Sequence, residues 1–141
     1  MFRILTSVIS FFLAIIAFFW FSKPIPDSEL SNIEATYSVN ENRIEFLLPA
    51  NSTTGFSWEC STHGDAVKQT DAFYVRNDAP EYYVGVGGVQ HYTYEAVHEG
   101  LAVITFIYSR NGIPSNSNRV ITATIHISAD CKITVDSFTE Q

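Results

Sequence analysis

The sequence predicts an all-β domain, folded as an antiparallel sandwich, behind an apolar N-terminal segment. Three observations carry that class. Apolar and polar residues alternate at period two through most of the chain beyond residue 32. Turn-forming residues interrupt these runs about every 8 to 14 residues, which marks out seven or eight short strands. No stretch after residue 24 offers an apolar stripe at helical spacing with a cap at each end. Short strands with regular turns on a chain this long describe an immunoglobulin-like antiparallel β-sandwich.

The first element is the 18-residue uncharged run from Ile4 to Phe21. As a helix it reaches roughly 27 Å, against ~30 Å for the hydrocarbon of a bilayer. Arg3 and the amino terminus precede it, so residues 1–23 read as a signal peptide or a signal anchor. The run ends Phe18-Phe19-Trp20-Phe21-Ser22-Lys23-Pro24 with no small-residue cleavage site, and both forms stay open. Either one keeps the positive end in the cytoplasm and exports everything beyond Lys23. The expected place is outside the cytosol: secreted, vesicular, or held at a membrane through residues 4–21. Pro24 and Pro26 make residues 24–32 an extended linker, and residues 33–141 form the domain.

Within that domain Ile33–Ser38 is the first candidate strand. Arg43–Leu48 follows, with Ile44, Phe46 and Leu48 on one face. Phe56–Ser61 places Phe56, Trp58 and Cys60 together, and Gly64 marks a turn. Val67–Arg76 reads as a weaker pair of short strands. Asn77-Asp78-Ala79-Pro80 breaks the pattern, and a loop runs on to Gly88. Gln90–Val97 resumes alternation, and Glu99-Gly100 turns into Leu101–Tyr108, apolar on both faces and therefore central. Arg110–Asn118 is a polar loop, and Arg119–Ser128 is the final long strand.

Composition narrows the function. The net charge is −7 without Lys/Arg clusters, which argues against nucleic acid and anionic membrane surfaces as partners. One small domain of this kind is expected to be a monomer. Cys60 and Cys131 permit one disulfide in an exported chain, with two free, half-buried thiols as the alternative. His63, His91, His98 and His126 make no metal-ligand spacing with each other or with a cysteine or acid. Cys60 shares a strand face with Trp58, so a packed or bonded sulfur fits better than a nucleophile. Gly85-Val86-Gly87-Gly88 would need to open a helix to hold a phosphate, yet it opens a strand. It reads instead as a turn whose glycines let another backbone approach closely. No cofactor, metal or enzymatic activity is expected.

The segment Asn51-Ser52-Thr53-Thr54-Gly55-Phe56 stands out among the loops. An apolar run ending in Pro49 precedes it, and the Phe56–Cys60 alternation leaves it. It carries small hydroxyl residues, one glycine and an exit aromatic, with no base beside them. Such a loop suits insertion into a partner rather than catalysis. Asn51-Ser52-Thr53 is also a complete N-glycosylation sequon.

This loop resembles the Asn-Pro-Thr-Thr-Gly-Tyr/Phe loop of the chagasin family of cysteine-protease inhibitors. Gly85-Val86-Gly87-Gly88 resembles that family's Gly-x-Gly-Gly loop, and Gly100–Tyr108 followed by Arg110 is similar to its strand leading into an Arg-Pro-Trp/Phe loop. The likeness spans roughly residues 33–128. It implies a sandwich whose three neighbouring loops wedge reversibly into the active-site cleft of papain-like peptidases. Asn51, Thr53, Thr54, Gly55 and Phe56 would then face the catalytic centre. Gly85, Val86, Gly87 and Gly88 would offer backbone hydrogen bonds, and Arg110 would flank the other side. Two positions depart from the pattern: Ser52 replaces the proline, and Asn111-Gly112-Ile113 replaces Pro-Trp/Phe after Arg110. The altered third loop leaves a second reading in play, an exported immunoglobulin-like binding or adhesion module without a peptidase target.

Overall fold

A computed structural model of the chain describes residues 34–113 and 118–141. The N-terminal segment assigned to signal, anchor and linker lies outside them. Among the described residues no helix is long and apolar enough to cross a membrane. The described residues are all β apart from one short 3-10 turn. Its strands are β1 (Thr36–Asn40), β2 (Arg43–Ala50), β3 (Phe56–His63), β4 (Val67–Arg76), β5 (Gly88–Ala96), β6 (Gly100–Arg110), β7 (Arg119–Ile127) and β8 (Ile133–Glu140).

The strands form two four-stranded sheets, ordered β1-β2-β5-β4 and β3-β6-β7-β8, and every pairing is antiparallel. Alternation decides which side chains meet between them. Ile44, Phe46 and Leu48 of β2 and Tyr92 and Tyr94 of β5 face inward. Ile104 and Phe106 of β6 and Ile121, Ala123 and Ile125 of β7 oppose them. Phe46 spans the layers, its ring 5.0 Å from Phe106 and 6.0 Å edge-on to Tyr94. A fully buried side chain of this size contributes about 1.5–3 kcal/mol, so the paired aromatics fix how the sheets stack. Burial pushes the Tyr92 phenol up to about 12, and it pushes Tyr94 upward as well.

Several expectations change. β4 is one strand of 10 residues rather than two short ones, with a register shift between Gln69 and Asp71 that breaks its pattern. As an edge strand it is covered on one side, so a polar run is tolerated. β6 is central as expected, but only one of its faces is buried; Leu101 and Ile107 point outward and are exposed. The strand expected to be last is followed by β8. Asp136 is the extra residue of a bulge, because Ile125 pairs with Val135 while Thr124 pairs with Ser137. Ile133 and Val135 keep step and Phe138 does not, which hides the strand from a period-two reading.

Cys60 and Cys131 are both free. Cys60 lies on edge strand β3 and Cys131 in the β7–β8 turn, with β6 and β7 between them. Two strand spacings of about 4.8 Å already exceed the Cα separation a disulfide accepts. The Cys60 thiol instead donates to Gln69 Oε1 at 3.2 Å, and the Tyr94 hydroxyl donates to the same oxygen at 3.2 Å.

Candidate functional site

Strand register brings three connections to one end of the sandwich. Ala50 and Arg76 both pair with Gly88, which gathers the end of β2, the end of β4 and the start of β5. Phe56 pairs with Arg110 and Tyr108 with Arg119, which gathers the start of β3, the end of β6 and the start of β7.

The first loop is built on Asn51. Its backbone is extended (φ −133, ψ 96) and its side chain caps the single 3-10 turn Ser52–Thr54. Asn51 Oδ1 accepts from the Thr53 backbone N–H at 3.1 Å and from Thr53 Oγ1 at 2.7 Å. Thr54 Oγ1 donates to the Asn51 carbonyl at 2.7 Å. Gly55 ends the turn in the left-handed region at φ 76, where a side chain would be strained. Ser52, Thr53, Thr54 and Gly55 are exposed, and Phe56 is half-buried.

Two further bonds hold this loop to the frame. The Asn51 backbone N–H donates to the Tyr108 hydroxyl at 2.9 Å. The Tyr108 ring lies between Phe56 at 5.4 Å and Trp58 at 4.9 Å. Trp58 is itself fixed, since its indole N–H donates to the Pro49 carbonyl at 2.9 Å and its own carbonyl accepts from the Tyr92 hydroxyl at 2.9 Å. Pro49 fits a strand here because the β1 ladder ends at Leu47.

The second loop meets the first through a bond from Asn51 Nδ2 to the Gly85 carbonyl at 2.8 Å. Here the structure departs from the expectation of an open glycine run. Val86, Gly87 and Gly88 are buried, and the Gly87 carbonyl accepts from the Asn77 N–H at 2.9 Å. Gly88 is already in β5, pressed against its neighbour: a Cβ there would stand 2.1 Å from the Val75 carbonyl oxygen and 2.6 Å from the Tyr74 hydroxyl. Its glycine serves strand packing. The exposed part of the loop lies just before it, at Tyr82 (81% exposed), Tyr83 (56%) and Val84 (91%). Arg76 Nη2 donates to the Tyr83 carbonyl at 3.1 Å, and the Tyr83 N–H donates to the Pro80 carbonyl at 2.9 Å. These three residues were missed in the sequence, although a Tyr-Tyr-Val run without alternating partners was a signal for an exposed apolar segment.

The third loop begins with a tight turn. Asn111 and Gly112 have φ of 55 and 69, and the Ile113 N–H donates to the Arg110 carbonyl at 3.1 Å. Asn-Gly with two positive φ values is the hairpin signature, legible in the sequence and read there only as polar loop. Arg110 lies beside the first loop: a Cβ on Gly55 would stand 3.6 Å from its Nε. Ile113 is 64% exposed. The residues singled out in the sequence therefore share one end, with Asn51 tied to Gly85 on one side and Gly55 against Arg110 on the other.

The histidines stand apart from this end. His91 Nδ1 lies 2.8 Å from Glu45 Oε1 and stacks on Phe73 at 4.6 Å, while His98 lies 3.4 Å from Asp65. Among the described residues no three His, Cys, Asp or Glu side chains are placed to hold a metal ion.

The family model for the chagasin family peptidase inhibitor I42 matches residues 38–127, which include all three loops. The chain belongs to the chagasin family. Two solved structures are similar to it. One is the cysteine protease inhibitor EhICP2 from Entamoeba histolytica, at 21% identity and TM-score 0.53, covering 61% of this chain and 78% of that one. The other is Amebosin, in solution, at 27% identity and TM-score 0.51, covering 63% of this chain and 83% of that one. No curated protein matches. Chagasin-family proteins are peptidase inhibitors rather than enzymes, and membership supports peptidase inhibition as the general activity.

Proposed function

We propose that the protein is a reversible inhibitor of papain-like cysteine peptidases that inserts its three-loop end into the active-site cleft. The observation that carries this reading is the double anchoring of Asn51, by backbone to Tyr108 and by side chain to Gly85. It presents Thr53, Thr54 and Gly55 as a narrow exposed tip whose shape is set before any partner arrives. A pre-ordered tip loses little conformational entropy on docking. Hydroxyl and backbone groups at the tip suit a polar cleft, since they can satisfy buried partners there. The strand order supports the frame, being that of a constant-type immunoglobulin sandwich with β8 added at the edge.

The loops divide the work differently from the simple motif. Gly85 supports the first loop, and Tyr82, Tyr83 and Val84 supply the second loop's apolar surface. Interface anchors of this kind contribute on the order of 2 kcal/mol each. They include large aromatic side chains, which the third loop, with Arg110 and Ile113 on the other side of the first, lacks. The uncharged run 4–21 directs the domain out of the cytosol, either freely or on a membrane tether.

Titration of papain and cathepsin L with the purified protein tests the reading. Inhibition with a one-to-one endpoint is expected, and Thr54→Glu abolishes it by carrying an unpaired charge into the cleft. No inhibition at micromolar concentration contradicts the proposal and leaves the adhesion-module reading. A Thr54→Glu variant as potent as the parent removes the first loop from the contact.

A further inference from the structure

We propose that Asn51 is an N-glycan acceptor and that the glycan switches the wedge off. This rests on the inhibitor reading and on export of the domain. Asn51-Ser52-Thr53 is the sole Asn-x-Ser/Thr sequon in the chain, so any N-glycan has one place to go. The structure puts that acceptor at the base of the exposed tip Ser52–Gly55.

The acceptor atom is also a structural one. Asn51 Nδ2 lies 2.8 Å from the Gly85 carbonyl and bridges the first two loops. A sugar replacing the free proton of this amide stands directly beside that bridge, and one replacing the bonded proton breaks it. A branched oligosaccharide there occupies the volume that a peptidase cleft would enclose. Chemically, the amide nitrogen displaces the lipid-linked pyrophosphate from the oligosaccharide's anomeric carbon and loses one proton, as in any N-glycosylation.

Order of events follows from the same bond. In the folded domain Asn51 is half-buried, with Nδ2 donating to Gly85 and Oδ1 capping Thr53. Transfer is therefore favoured on the emerging chain, before the loops close. Folding and glycosylation compete for one amide, and the product is a mixture of bare, active molecules and capped, silent ones.

One substitution separates the acceptor from the tether. Ser52→Pro destroys the sequon and leaves Asn51 in place. Ser52 is the first residue of the 3-10 turn, where proline's fixed φ and missing N–H are tolerated. Asn51 before it is already extended, as a residue preceding proline must be.

The full chain and Ser52→Pro are expressed in a glycosylating eukaryotic secretory host and in bacteria, and intact mass and papain inhibition are measured. The eukaryotic parent is expected to carry a mass increment that an endoglycosidase trims to a single N-acetylglucosamine on Asn51. The glycosylated fraction loses inhibition. Ser52→Pro shows no increment and inhibits equally from both hosts. Absence of the increment, or a glycosylated fraction as potent as the bacterial protein, overturns the proposal. Bacterial protein that fails to inhibit overturns the inhibitor reading instead, while the mass still reports on the acceptor.

Discussion

Replacing Asn51 by alanine, in protein made without glycosylation, tests how much of the tip's order comes from one side chain. The change removes the cap on Thr53 and the bridge to Gly85, and it leaves the backbone bond to Tyr108 in place. Loss of an N-cap costs about 1 kcal/mol, and a part-buried hydrogen bond about 1 kcal/mol more. If the freed loop must be reordered on docking, the full 2 kcal/mol moves into binding and inhibition weakens roughly 30-fold. Asn51→Asp divides the effect, because it keeps the capping oxygen and loses the donor to Gly85; it should weaken inhibition about half as much in free energy, near 5-fold. Inhibition constants against papain, with melting curves to exclude unfolding, give the answer. An Asn51→Ala variant that melts normally and inhibits within twofold of the parent would refute the claim that this side chain pre-orders the tip.

The frame around the loop makes further outcomes predictable. Tyr108→Phe leaves the part-buried Asn51 N–H without its acceptor and should weaken inhibition by about 1–2 kcal/mol while keeping the aromatic stack, as read by inhibition constants and near-ultraviolet circular dichroism. Gly88→Ala drives a methyl to 2.1 Å from the Val75 carbonyl; by forcing β4 and β5 apart it should cost about 3 kcal/mol, a drop of roughly 10 °C or more in melting temperature, with an unchanged melt refuting the packing role. Tyr92 and Tyr94 have folded-state phenol pKa values raised by burial, so the stability they carry is complete below pH 10 and is lost as pH rises toward 12. Urea midpoints should therefore fall across that interval, and a midpoint flat to pH 12 would contradict it.

The parts of the fold legible in the sequence are those where one face is buried and alternation is unbroken. Ile44, Phe46 and Leu48 announced β2, and Ile121, Ala123 and Ile125 lie on the alternation that announced β7. Where a bulge resets the phase, the signal fails. The bulge at Asp136 puts Phe138 out of sequence step with Ile133 and Val135 although all three face the core, which conceals β8, and the shift between Gln69 and Asp71 splits β4. The candidate site was legible as motifs: Asn51, Thr54 and Gly55 mark a turn that local chemistry demands, and Arg110 was singled out by the family resemblance alone. Which residues of the second loop face outward was not legible. A glycine reads alike whether it frees a loop or admits a neighbour, and only the approach of Val75 and Tyr74 to Gly88 shows the second case. The exposure of Tyr82, Tyr83 and Val84 depends on that burial, since the chain turns inward at Val86.

Hydrogen exchange of the domain, free and bound to papain, tests the central claim most directly. Protection on binding should appear at residues 51–56, 82–86 and 110–113, with the sheet faces and the opposite end at Val97–Gly100 and Ser128–Lys132 unchanged. Protection at that opposite end or across an outer sheet face, with the three loops exchanging as in the free protein, would contradict it.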